Sequence, residues 1–137
     1  MLENYIVRKT LPYTALGFHL FNNEIKALIK LSNYSHFPQL IAFDPQRLTI
    51  YMTYCGCELS SSNIPKNWLE QFKEIKHVLE TVKVNSNDML IRNTCVLDNK
   101  IYIIDFGLDN IYNDSIKVVL NKFLSRLTQL SRKFNYK

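Results

Sequence analysis

Glycine is scarce in this chain: Gly17, Gly56 and Gly107 are the only three in 137 residues. Neither G-x-G-x-x-G nor G-x-x-x-x-G-K-[ST] can be written with them, which excludes the two commonest phosphate-cradling loops. Cysteine is equally sparse. Cys55, Cys57 and Cys95 form an odd set with no C-x-x-C pair and no His/Cys cluster. That argues against a zinc framework or a disulfide scaffold and for a reducing compartment. No apolar run approaches the roughly 18 residues of a membrane span. The opening MLENYIVRK has charges on both sides of its short apolar part, unlike a secretory signal. A cytoplasmic chain with no membrane partner is expected. There is also no compact basic run, RNA-binding aromatic motif or zinc finger. The formal charge of +5 therefore reads as a mildly basic surface, and nucleic acid is disfavoured as a partner.

What is present is a core. Hydrophobic residues make up 47% and charged residues 21%, the balance of one globular domain. NYIVRK, residues 4–9, reads as a short strand with a β-branched centre. Residues 10–21 read as irregular, with Pro12 and Gly17 as breakers. NNEIKALIKL, 22–31, reads as a helix capped by Asn22 or Asn23. HFPQLIAFD and RLTIYMTY, joined through Asp44-Pro45-Gln46, read as an antiparallel hairpin. CGCELSSSN reads as a polar connector. Trp68, Phe72, Ile75, Leu79 and Val82 then recur in steps of four and three, the mark of a helix with one buried face. After the loop KVNSNDMLIRN, TCVL and KIYII flank Asp98-Asn99, a two-residue hairpin turn. Ile116, Leu120, Phe123, Leu127, Leu130 and Phe134 stripe a last helix. That stripe either packs onto the body of the domain or forms a seam for a homodimer or partner protein along 114–134.

The chemistry concentrates around the second hairpin. Asp88 and Asn93 stand five apart in the loop before it, and Asp105 follows its second strand in IYIIDFGL. A hairpin returns the chain to its starting edge, so Asp105 is expected near that loop. An amide and a carboxylate there suit Mg²⁺, which prefers hard oxygen ligands. The remaining carboxylate, Asp88, suits accepting a proton from a hydroxyl or orienting it.

In this order, SNDMLIRN followed by a hairpin and Asp105-Phe106-Gly107 resembles the protein-kinase-like superfamily, whose catalytic loop H-R-D-x-x-x-x-N precedes D-F-G. The resemblance implies a trimmed kinase-like α+β fold across residues 4–110. A small antiparallel sheet with one helix (1–56, reduced N-lobe and hinge) would precede a short, mainly helical C-lobe (57–137). It implies Asp88 as the catalytic aspartate, and Asn93 and Asp105 as Mg²⁺ ligands. Ile6-Val7-Arg8-Lys9 resembles the V-A-I-K strand. Lys9 would then grip the phosphates of ATP, with Arg8 or another lysine as the alternative, and Glu24 would pair with that cation. YMTYCGCEL resembles the strand and hinge that contact adenine, making Thr53, Tyr54 and Cys55 hinge positions and setting Tyr51 or Met52 near the back of the pocket. The implied activity is ATP- and Mg²⁺-dependent phosphoryl transfer to a hydroxyl acceptor, a protein or a small molecule.

The departures from that pattern are specific. The glycine-rich loop is missing, and Lys9 lies too near the N-terminus for the strands that carry it. Ser86 and Asn87 replace the histidine and arginine of the catalytic loop, and no A-P-E segment follows. The chain is thus most similar to small atypical members: RIO-like, KEOPS-associated and lipopolysaccharide-kinase-like proteins, or trimmed kinase-like proteins of large DNA viruses. The last would place it in a host cytoplasm. The rival expectation is a pseudokinase, a binding module without turnover.

Overall fold

The computed structural model describes residues 5–84, 93–104 and 116–135. The elements run β1 (Ile6–Thr10), α1 (Ala15–Lys30), β2 (Leu40–Asp44), β3 (Thr49–Thr53), β4 (Cys57–Glu58), α2 (Trp68–Val82), β5 (Thr94–Leu97), β6 (Lys100–Ile103) and α3 (Ile116–Asn135). The fold is α+β, with two small antiparallel sheets ordered β1-β3-β2 and β4-β5-β6. The second half carries helices α2 and α3 beside the expected hairpin, and 57–58 of the connector add a two-residue third strand beside β5.

Helix α1 begins seven residues before the expected start at Asn22. Residues 10–21 hold a helix start that glycine and proline disguise. Thr14 is extended, and its Oγ1 accepts the Gly17 N–H at 3.0 Å, a side-chain cap on the first turn. Gly17 breaks nothing; a Cβ there would lie 1.7 Å from the Pro12 carbonyl oxygen. It lets the first turn close onto the chain entering the helix. Asn23, an expected cap, instead sits mid-helix and meets His19 one turn back at 3.0 Å.

Two apolar cores result. Phe21, Ile25 and Leu28 of α1 pack on Leu48, Ile50 and Met52 under the first sheet. Ala27 of the same helix and Leu31, its C-cap, join the larger core made by α2, α3, β5 and β6. Helix α1 thus belongs to both. Truncating Leu28, which is fully buried, would cost roughly 2–5 kcal/mol.

The α3 stripe is spent inside the chain. Leu120, Phe123, Leu127 and Leu130 are all buried, and the Phe123 ring packs 5.8 Å from that of Phe72 on α2. A dimer seam on α3 would have to use its other face.

The β5–β6 hairpin turns at Asp98-Asn99 with φ of 51° and 65°, both positive as a two-residue type I′ turn requires. Buried Gln71 of α2 clamps it: its amide donates to the Asn99 carbonyl (3.0 Å), and its Oε1 accepts the Ile101 N–H (2.8 Å).

His36 joins the two halves. It is buried, with φ of 77°. Its carbonyl accepts the Ile103 N–H at 2.9 Å. Its ring nitrogens meet the Ile101 carbonyl and the Glu74 carboxylate, each at 2.8 Å. The ring thus ties β6 to α2. No described helix is long and apolar enough to cross a membrane.

Candidate functional site

Lys9 lies in a continuous ladder, paired with Ile50 of β3. Cross-strand partners share a face, and Ile50 is in the core under the sheet. Lys9 therefore points toward α1 while its neighbour Arg8 points to the opposite face. On α1, Glu24 is one residue before Ile25 and four before Leu28, which places it on the buried side. The Lys9 ammonium donates to the Glu24 carboxylate across this gap. Glu24 is 1% exposed and the Lys9 side chain 29%. A carboxylate that deeply buried requires a cation, and Lys9 is its cation. Glu24 is therefore no surface charge at a helix end. It sits in the third turn of a helix that starts at Ala15.

The pair closes one end of a cavity of about 350 Å³. Val7, Pro38 and Met52 wall it from the first sheet. Cys95 and Ile104 wall it from the second. Thr53, Cys55 and Gly56, where the chain crosses between sheets, form its rim. The lining is mostly apolar apart from Arg8, Lys9 and Glu24. Gly56 holds φ of +96°, and a Cβ there would lie 2.0 Å from the Val96 carbonyl oxygen. Only glycine lets the crossing segment press this close to β5.

Main-chain hydrogen bonds along the rim are partly committed. The Thr53 N–H donates to the Gln39 carbonyl (3.0 Å) and the Tyr54 N–H to the Tyr5 carbonyl (3.2 Å). Among the described residues no such bond engages the Cys55 N–H. The same holds for the Gly56 N–H, so this two-residue stretch carries main-chain donors that no described backbone acceptor takes.

Two thiols line the cavity. Burial pushes Cys55 up to about 12, and it also raises Cys95. Both stay protonated at neutral pH and act as small apolar walls rather than nucleophiles.

Asn93 is buried at the start of β5, and its carbonyl accepts the Ile104 N–H at 2.9 Å. Asn93 and Ile104 are thus opposite each other across the hairpin, and Ile104 lines the cavity. Asp105 is the next residue after Ile104. Asp88 and Asp105 both lie outside the described residues.

Lys9, Glu24, Thr53 and Cys55 therefore share one cavity, with Met52 of the two back-of-pocket candidates. Tyr51, on the opposite face of β3, does not line it. Tyr54 goes elsewhere. It lines a separate cavity of about 540 Å³ together with His36, Gln39, Lys100 and Tyr102, and its ring packs 6.0 Å from Tyr5. Sequence reasoning missed Pro38, Cys95 and Ile104. Only the pairing of β5 with the two-residue strand β4 brings Cys95 beside the rim, and two residues carry little strand signal. Gly56 did carry a signal: a lone glycine between two cysteines marks a close backbone approach.

No protein-family model matches the sequence, and no curated protein matches it.

Proposed function

We propose that this chain is a reduced protein-kinase-like phosphotransferase that binds ATP with Mg²⁺ and transfers the γ-phosphate to a hydroxyl. The observation that carries the reading is the buried Lys9–Glu24 pair at one end of an apolar cavity. A buried ion pair adds little to stability over apolar replacements. A held ammonium at the end of a slot with an available N–H on its rim suits an anionic ligand with a flat ring.

Each residue has a definable part. Val7, Met52 and Cys95 would enclose the purine, and the Cys55 N–H would donate to a ring nitrogen. Glu24 holds the Lys9 ammonium in place, so that gripping the phosphates costs little reorganisation. Asn93 and Asp105 offer an amide and a carboxylate oxygen, a donor set that fits Mg²⁺. Bound there, the ion would neutralise charge on the phosphate oxygens. Asp88 would orient the acceptor hydroxyl and take its proton as the new P–O bond forms and the bond to the β-phosphate breaks, releasing ADP.

The test is ADP release with Mg²⁺ by the wild-type chain, Asp88→Ala and Asp105→Ala. Loss of a proton-accepting or metal-holding group is expected to slow turnover roughly a hundredfold. Equal turnover in all three proteins would contradict the assignment.

A second reading, a nucleotide-binding module without turnover, is favoured by one feature. Among the described residues the first sheet has three strands, with β1 at its edge, so no described strand roofs the Lys9 end of the cavity. Nucleotide binding without ADP release above background would select this reading.

A further inference from the structure

We propose that the outer edge of β1 is a docking site for an extended, acidic segment of another protein, which would add a fourth strand to the first sheet. This inference does not rest on what the cavity binds, although Arg8 also borders that cavity.

The two sheets have four edges, and three are blunted. The outer edge of β6 is occupied: the Ile101 N–H goes to Gln71, the Ile101 carbonyl to the His36 ring, and the Ile103 N–H to the His36 carbonyl. Strand β4 is two residues long. Strand β2 is interrupted by a register shift between Leu40 and Ala42. Bulges, short strands and covering groups are the usual protections against edge pairing. Strand β1 has none of these three; of its two charges, Lys9 is neutralised by Glu24 and Arg8 favours an acidic neighbour over a basic one. Its register against β3 is unbroken from Ile6 to Thr10, it holds no proline, and no described strand lies beyond it.

The direction of its hydrogen bonds is fixed. The Tyr5 carbonyl accepts the Tyr54 N–H, and the Leu11 N–H donates to the Leu48 carbonyl. Odd-numbered residues therefore bond to β3, and Ile6, Arg8 and Thr10 direct their N–H and C=O groups outward. The side chains of these three share the face opposite α1. Ile6 is 59% exposed. Arg8 is exposed and makes no ion pair with a described residue.

These side chains specify the occupant. A strand bonded to Ile6, Arg8 and Thr10 sets alternate residues opposite them on one face. An apolar residue opposite Ile6 and a carboxylate two positions away opposite Arg8 form favourable cross-strand pairs. A second copy is the wrong occupant. Full overlap of β1 with itself sets Arg8 against Arg8, and the chain carries +5 overall.

The probe is a blocked pentapeptide of sequence Val-Thr-Glu-Thr-Val, with a lysine-centred version as control. The readout is amide hydrogen exchange of the full chain by NMR. The glutamate peptide is expected to slow exchange at Ile6, Arg8 and Thr10 roughly tenfold at saturation, leaving α2 and α3 unchanged. Ile6→Pro removes one outward donor without touching the bonds to β3 and should abolish the protection. Arg8→Glu should transfer the preference to the lysine-centred peptide, and its unchanged exchange elsewhere shows that the fold is kept. No protection at millimolar peptide, equal protection by both peptides, or sedimentation as a dimer in which those amides are already protected would each overturn the proposal.

Discussion

Lys9 of β1 and Glu24 of α1, fifteen residues apart in sequence, form an ion pair in which the carboxylate is 1% exposed and the ammonium borders a cavity. It is the point where the first sheet, its helix and the candidate ligand site meet.

Breaking the pair is expected to affect stability and binding differently according to which partner is removed. Lys9→Met removes the cation beside a buried carboxylate. It should lower unfolding free energy by roughly 3 kcal/mol, at the low end for a buried pair because Lys9 keeps some contact with water. Lys9→Met with Glu24→Leu removes both charges and should recover most of that loss, while nucleotide affinity stays lost. Urea denaturation and nucleotide titration of the same proteins check both parts.

Gly56→Ala is expected to destabilise the chain by roughly 1–3 kcal/mol. The added methyl meets a backbone carbonyl 2.0 Å away at φ of +96°, so no side-chain rotation relieves it. Moving the crossing segment away from β5 also widens the cavity rim, so ligand affinity should fall with stability. A urea midpoint unchanged from wild type would show that the segment is not held against β5.

Thiol chemistry gives a third prediction. Cys57 is exposed while Cys55 is buried. In the native protein at neutral pH, maleimide should label Cys57 first and Cys55 only after unfolding, as read by peptide mass spectrometry. Burial raises Cys55 to about 12, against roughly 8.5 for an unfolded thiol. The folded chain keeps the proton when the unfolded chain releases it. The Cys55 contribution to stability is therefore fully present below about pH 8.5 and is lost as pH rises toward 12. A denaturation series from pH 7 to 10 should show stability falling above pH 8.5, less steeply in Cys55→Ala.

The sequence was most legible where a local pattern and a buried face coincide. Trp68 to Val82 and the Asp98-Asn99 hairpin are present as the periodicity and turn chemistry imply. The α1 start was not legible, because Pro12 and Gly17 carry the composition of a loop. Here glycine serves a close approach to the Pro12 carbonyl, a tertiary fact. The pairing of Lys9 with Glu24 was readable only through resemblance to a motif, since lysines and glutamates are common in any chain. The bridge from His36 to Glu74 and β6 had no sequence signal. It depends on a buried left-handed residue meeting partners 38 and 65 positions away.

Nucleotide binding in the Lys9-lined cavity should show in thermal unfolding with Mg²⁺ and ATP. A ligand at ten times its dissociation constant stabilises the folded state by about 1.4 kcal/mol, which raises the melting temperature of a domain this size by about 4–6 °C. Such a rise is expected for the wild-type chain at millimolar ATP and none for Lys9→Met. No shift in the wild-type chain at those concentrations, or an equal shift in Lys9→Met, would contradict nucleotide binding there.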